Sequence, residues 1–251
     1  MTSESSTAGR IDSFVLKIIA IVAMTADHIG TVFAPQLPMW GKVALFAPGG
    51  LTFPIMAFLL TVGYQHTRNV RKYIQRLFVF ALIAIVPFWW ALMPQLNVLF
   101  TLLMGLIIIY LYDHLKNRLL FVLALLVAII ATGWCDWSYV GVPMILCYHI
   151  IRHPVRRVVF PVALMWFTWI LELLLLSVAG TSPIQSVLFV NLPGIAYVFV
   201  GCTLTIPLLL SYNGRRGAPL KYFFYAYYPA HLALLALIRL LALGDGGFYG
   251  W

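Results

Sequence analysis

Charge is what this chain has least of. Only 9% of its 251 residues are Asp, Glu, Lys or Arg, against roughly 25% in a soluble globular domain. With 63% hydrophobic residues and a mean hydropathy of +0.98, a water-soluble fold is excluded and a polytopic, all-α integral membrane protein is predicted. Cysteine is nearly absent as well. Cys135, Cys147 and Cys202 are odd in number and far apart, which excludes a CxxC motif and a complete disulfide framework and leaves inert thiols. No Walker loop, GxSxG, HExxH or dinucleotide fingerprint occurs in a usable context, so the templates of soluble enzymes do not apply. No metal site is expected. Linkers and low-complexity runs are missing too, apart from the Ser/Thr-rich residues 1–12, which read as a disordered cytoplasmic N-terminus. Residues 13–251 read as one transmembrane domain.

What is present is apolar run after apolar run. Segments long enough to cross, allowing for tilt and short buried helices, fall at 14–33, 49–66, 73–93, 97–112, 118–132, 138–151, 157–179, 194–212 and 221–243. A helical bundle of about nine transmembrane helices is the expectation. Glu4 and Asp12 precede the first run and no small-residue cleavage site follows it, so that span is expected to stay as an anchor. The 16 basic residues alternate between the loops, and all but Lys42 and Arg239 fall on one side. The positive-inside rule then puts the N-terminus in the cytoplasm and the C-terminus outside. Topology also accounts for the net charge of +9 and the pI near 9.6 without nucleic acid; membrane lipids are the expected surroundings. Pro54, Pro87, Pro143, Pro161, Pro207 and Pro229 lie inside spans and imply kinked helices around a cavity.

Against that background the ionisable residues inside spans stand out, because each costs roughly 2.5 to 3.5 kcal/mol on insertion scales. Asp27 and His28 interrupt the first span in "AIVAMTADHIGTVF". Met24, His28 and Thr31 share a face by i, i+4 and i+7 spacing, and Asp27 lies about 100° round the helix from His28. His231 sits near the middle of the last span in "KYFFYAYYPAHLALL", with Tyr227 and Tyr228 four and three residues earlier. A mid-membrane imidazole flanked by phenols suits proton transfer or the holding of a polar ligand. On the cytoplasmic side "GYQHTRNVRKYIQR" gathers His66, Arg68, Arg71, Lys72 and Arg76. Such a cluster fits a polyphosphate, and it equally fits plain topology and lipid headgroups. Glu172 and Asp136 are weaker candidates, each a possible structural partner for Lys42 or a tyrosine.

The blocks "LKIIAIVAMTADHIG", "FPIMAFLLTVGYQHTRNVRKYIQRLFVFAL" with "VPF", "NVLFTLLMGLIIIYL", "DWSYVGVPMILCYHIIR" and "KYFFYAYYPAHLALL" together resemble the TraX family of bacterial membrane proteins, in the family's order. The family is associated with N-acetylation of conjugative pilin and looks like a branch of the wider transmembrane acyltransferases, which draw on cytoplasmic acetyl-CoA. The resemblance carries over onto Asp27, His28, His66, Arg68, Arg76, Asn97, Thr101, Asp136, Tyr225, Tyr228, Pro229 and His231. In related acyltransferases a histidine near the outer end of an early span is catalytic, and His28 matches that place. The chain departs from the family pattern at "PGGLTFP", where an Arg is usual before the "FP", and at "IAIVPF", where a Ser is usual.

These readings converge on a membrane-embedded acetyltransferase of the bacterial cytoplasmic membrane. His66, Arg68, Arg71, Lys72 and Arg76 would hold the phosphates of acetyl-CoA, whose pantetheine arm would run beside Tyr225, Tyr228 and His231. His28 would act at the thioester as general base or acyl carrier, with Asp27 orienting it. The acceptor is an amine or hydroxyl, a pilin N-terminus being implied by the family alone; a homo-oligomer is compatible with the sequence. A transporter using Asp27, His28 and His231 as a proton or cation relay is the competing expectation, and a non-catalytic assembly scaffold the third.

Overall fold

The computed structural model describes residues 9–179 and 184–244. Among them the chain is almost entirely helical, and the only β-pairing is two isolated bridges. Residues 1–8 of the expected disordered start lie outside the described residues, whereas residues 9–12 are placed. Ile11 donates its N–H to Ser211 O (3.0 Å) and accepts from Asn213 N–H (2.9 Å).

Four of the described helices open on side-chain caps that satisfy a donor of the first turn. Asp12 accepts from Val15 N–H and opens α1 (Ser13–Val32). After a short 3-10 turn come α2 (Met39–Gly49) and α3 (Thr52–His66), which together make a 28-residue apolar stretch. The second expected span therefore begins ten residues earlier than its hydropathy suggested. Asn69 caps α4 (Val70–Ile83), and α5 (Ile85–Ala91) leaves it at a bend of 41°. Pro87 is the cause: its ring blocks the carbonyl four residues back, and that residue is Ile83, where α4 ends. The expected span 73–93 is thus two helices. Asn97 and Asn117 cap α6 (Val98–His114) and α7 (Arg118–Ala131), and α8 (Ser138–Ile150) follows.

The long α9 (Pro154–Ala179) and the short α10 (Ile184–Val190), the latter outside every expected span, lead to a composite helix: α11 (Leu192–Ile195), a π-helical turn at Ala196–Cys202 and α12 (Thr203–Leu210). The last helix, α13 (Lys221–Leu243), stops at Gly244, whose φ of 65° closes the end with an N–H to Leu240 O. Five of these stretches are long and apolar enough to cross a membrane, or six with the bent pair α4–α5. The nine expected crossings resolve into these and the shorter α6, α7 and α8, whose 17, 14 and 13 residues fall below the roughly 20 that a bilayer core asks of a straight helix.

α6 packs closely on α8: a Cβ on Gly105 would stand 2.2 Å from Ile145 Cδ1, so a larger residue there would require that side chain to shift. Two polar ties secure the start of α6: Asn97 Nδ2 donates to Ala81 O on α4 (2.9 Å), and the Thr101 hydroxyl donates to the carbonyl of Asp136, just ahead of α8. Asn97 and Thr101 are fully buried and build the frame against which α1, α3, α4 and α13 enclose a cavity.

Candidate functional site

The cavity holds about 510 Å³ and has two chemically distinct ends. At one end stand Lys17 in the first turns of α1, His66 at the end of α3, Arg68, Arg76 on α4 and Arg216 in the segment before α13. At the other stand Met24, Phe53, Val98 and Tyr228. Lys17 and His28 are eleven residues apart on α1, about 16 Å at 1.5 Å per residue.

The cationic end is only partly neutralised by its own surroundings. The Lys17 ammonium lies 5.3 Å from the centroid of Phe224 and the Arg76 guanidinium 5.4 Å from that of Tyr73. The Tyr225 hydroxyl lies beside Arg76, its ring stacked on Phe80 at 4.9 Å. Arg76 Nε nevertheless remains buried with no acceptor. A buried donor on a cation without its acceptor is costly, and a phosphate oxygen is the partner that guanidinium geometry fits best.

Behind Tyr228 at the other end, outside the cavity lining, lie two histidines. His28 and His231 are both buried, their rings nearly parallel at 6° and side by side with centroids 5.0 Å apart, and His28 Nδ1 lies 2.7 Å from His231 Nε2. His231 Nδ1 lies 2.8 Å from Tyr227 O, one helical turn back. The Tyr227 ring stacks on His231 at 5.0 Å, and its hydroxyl is 2.7 Å from Thr25 Oγ1. Because Thr25 donates its proton to Ile21 O (2.6 Å), the Tyr227 hydroxyl donates to Thr25. Two α1 side chains and two α13 side chains thus lock together across the bundle. Tyr228 meets His28 edge to face at 6.3 Å. Its hydroxyl is buried without a hydrogen-bond partner, next to the first amide of α6, Val98.

The structure therefore sets Tyr228 at one end of the cavity, with His28 and His231 behind it and outside the lining, and His66, Arg68, Arg76 and Tyr225 towards the other. Arg71 and Lys72 are not part of this site: both are exposed and neither lines the cavity. Their expected face with Arg68 required a helix running through residue 68, but Asn69 caps α4, and Tyr73, Arg76 and Leu77 form the inward face instead.

Asp27 also departs from its expected role. No hydrogen bond or ion pair joins it to His28; it lies against the end of α2, where a Cβ on Gly49 would come within 2.6 Å of the Asp27 Cβ. Its carboxyl is within Coulombic reach of Asp136 and Tyr197. Burial pushes the Asp136 carboxyl up to about 6, opposed by the Trp137 amide. Lys17 and Arg216, which topology alone explains in the sequence, both line the cavity. Lys17 carried a signal, since it lies seven residues before Met24 and eleven before His28 on one helical face. Arg216, in a non-helical segment, carried none.

A helical membrane protein in which a cation-rimmed cavity ends at a tyrosine packed on a buried histidine pair is the class that this fold and site define. The chain belongs to the TraX family, described as TraX protein, which it matches over residues 13–239. It is 30% identical over 253 residues to the "Probable fimbrial assembly protein FimC, serogroup H1" of Dichelobacter nodosus, covering 91% of this chain and 96% of that relative. No solved structure matches it.

Proposed function

We propose that the protein is an acetyltransferase of the bacterial cytoplasmic membrane, moving an acetyl group from cytoplasmic acetyl-CoA to an amine or hydroxyl at or beyond the outer face. The observation that carries this reading is a cavity with Lys17, Arg68, Arg76 and Arg216 at one end, the Arg76 Nε buried without an acceptor, and Tyr228 with a histidine pair behind it at the other. The charge asymmetry of the loops puts the cationic end in the cytoplasm, where an anionic acyl donor is available, and the N-terminus with it. The C-terminus is then extracytoplasmic if α6, α7 and α8 complete the nine crossings.

Lys17, Arg68, Arg76 and Arg216 hold the donor's phosphates, Arg76 through its unpaired Nε. The apolar middle of the cavity, with Met56, Leu59, Leu60 and Phe224, accepts a long and only moderately polar arm. The thioester then lies by Tyr228, whose free hydroxyl donates to the carbonyl oxygen as charge gathers there. His28 takes the proton of the attacking group. The name of the Dichelobacter relative makes a fimbrial subunit the first acceptor to try, through its amino groups.

The experiment is a melting curve of the purified protein with and without CoA and acetyl-CoA, for the wild type and Arg76→Ala. Ligand at about a hundred times its Kd stabilises a single site by about 2.7 kcal/mol, so a clear rise in Tm is expected for the wild type and a smaller one for the variant. Equal curves with and without ligand in the wild type would overturn the reading and favour a proton or cation relay.

A further inference from the structure

The hydrogen bonds around the histidine pair have a fixed direction, and it identifies one basic atom. A backbone carbonyl only accepts, so the 2.8 Å contact between His231 Nδ1 and Tyr227 O places a proton on His231 Nδ1. A neutral His231 then has a bare Nε2, which only accepts. The 2.7 Å contact from His28 Nδ1 to that nitrogen therefore places a proton on His28 Nδ1. The lone pair of the pair's outermost ring is left on His28 Nε2, and no hydrogen bond within the protein occupies that atom among the described residues. The geometry points to His231 as the positioning residue of the site, holding His28 in the tautomer whose Nε2 is the base, with the Tyr227 carbonyl as the anchor of the chain.

His231 thereby does for His28 what a carboxylate does in a hydrolase triad, without placing a charge in the membrane. Asp27, one residue from His28, is not needed for the task and faces elsewhere. Two contacts make the arrangement rigid. Tyr227 presses its ring on His231 and is itself tied to α1 through Thr25, so neither imidazole can turn without breaking a buried bond between helices.

The inference rests on the acetyltransferase reading for the chemistry the base performs. As the acceptor nitrogen or oxygen bonds to the thioester carbonyl carbon, its proton passes to His28 Nε2. The carbon–sulfur bond breaks, the thiolate leaves with the bonding pair, and it takes the proton back from Nε2. Free thiol and acetylated acceptor result, and both histidines return to their starting tautomers. His231 need only accept a hydrogen bond throughout.

The test separates this from a structural role and from the acetyltransferase reading itself. Long-range proton–nitrogen NMR of histidine-labelled protein reports which His28 nitrogen carries hydrogen, with or without activity. Acetyl transfer from acetyl-CoA to an amine-bearing acceptor peptide reports catalysis. The variants are His231→Gln, whose amide oxygen can accept from His28 Nδ1, and His231→Leu, which cannot.

Wild type and His231→Gln are expected to show hydrogen on His28 Nδ1 and a bare Nε2, and His231→Leu a mixture. The kcat of His231→Leu should fall about a hundredfold, within the range of positioned acid–base catalysis, with KM for acetyl-CoA unchanged, and His231→Gln should recover most of that loss. Hydrogen on His28 Nε2 in the wild type, or the same tautomer in wild type and His231→Leu, would overturn the inference while an active enzyme kept the acetyltransferase reading. The expected tautomers in a protein that moves no acetyl group would overturn that reading and leave the hydrogen-bond chain in place.

Discussion

Asp27 and His28 are neighbours in the chain and belong to different regions of the molecule. His28 faces α13 and is closed in by aromatic rings and a second histidine. Asp27 faces the end of α2 and the electrostatic neighbourhood of Asp136 and Tyr197. The two environments differ because 100° of helical rotation separates adjacent residues, which on a helix packed on several sides is enough to select a different neighbour. Adjacency in sequence suggested a carboxylate–imidazole pair, whereas the helix supplies a base on one side and a buried acid on the other.

The sharpest way to break this contrast is to remove each member. His28→Ala should lower kcat by roughly 10²- to 10⁴-fold, the range of a positioned general base, whereas Asp27→Asn should keep kcat near the wild-type value. An equal loss in both, measured by acetyl transfer to an acceptor peptide, would return Asp27 to the catalytic group. Next in size is the cationic end. Arg76→Ala should raise KM for acetyl-CoA roughly ten- to a hundredfold, as expected for losing a hydrogen bond to a charged group, with Arg71→Ala unchanged as its control.

A third prediction concerns stability on the Asp27 side. Gly49→Ala forces a methyl group to within 2.6 Å of the Asp27 Cβ and should cost about 1 to 3 kcal/mol as overpacking; a melting curve equal to the wild type would show that the helices part easily there. The smallest expected effect is on pH. The Asp136 carboxyl is raised in the folded protein from its ordinary 3.8 to about 6, so folding favours the protonated form. Its contribution is fully present below 3.8 and is lost as pH rises through about 6. Asp136→Asn should flatten that fall in Tm, and an unaltered pH profile would show that the shift has no weight in stability.

Much of the site was legible because membrane burial makes polar residues conspicuous. His28, His231, Arg76 and Tyr228 stand out in apolar runs, and the structure brings His28 and His231 into contact across 203 positions of sequence. Arg71 and Lys72 lie outside the cavity because their shared face with Arg68 needs a helix running through residue 68, whereas the capping preference of Asn69 starts α4 after it. The fold was legible in kind and less so in number. Hydropathy cannot distinguish a straight span from one broken at Pro87, nor foresee that α2 joins α3 through Gly49 and Gly50 as one long apolar stretch. The direction of the hydrogen bonds from His28 through His231 to Tyr227 O could not be read from sequence at all, because the bond between the two histidines depends on a distance between two helices.

The roughly 16 Å along α1 from Lys17 to His28 makes the cavity a measuring device. On the acetyltransferase proposal, an acyl donor would be gripped at both ends only if its anionic head and its thioester were separated by about that span. Acetyl phosphate, in which a single oxygen joins phosphorus to the reactive carbon, would be held by the cations or approach His28, but not both. Length alone would then select the donor before any chemistry began.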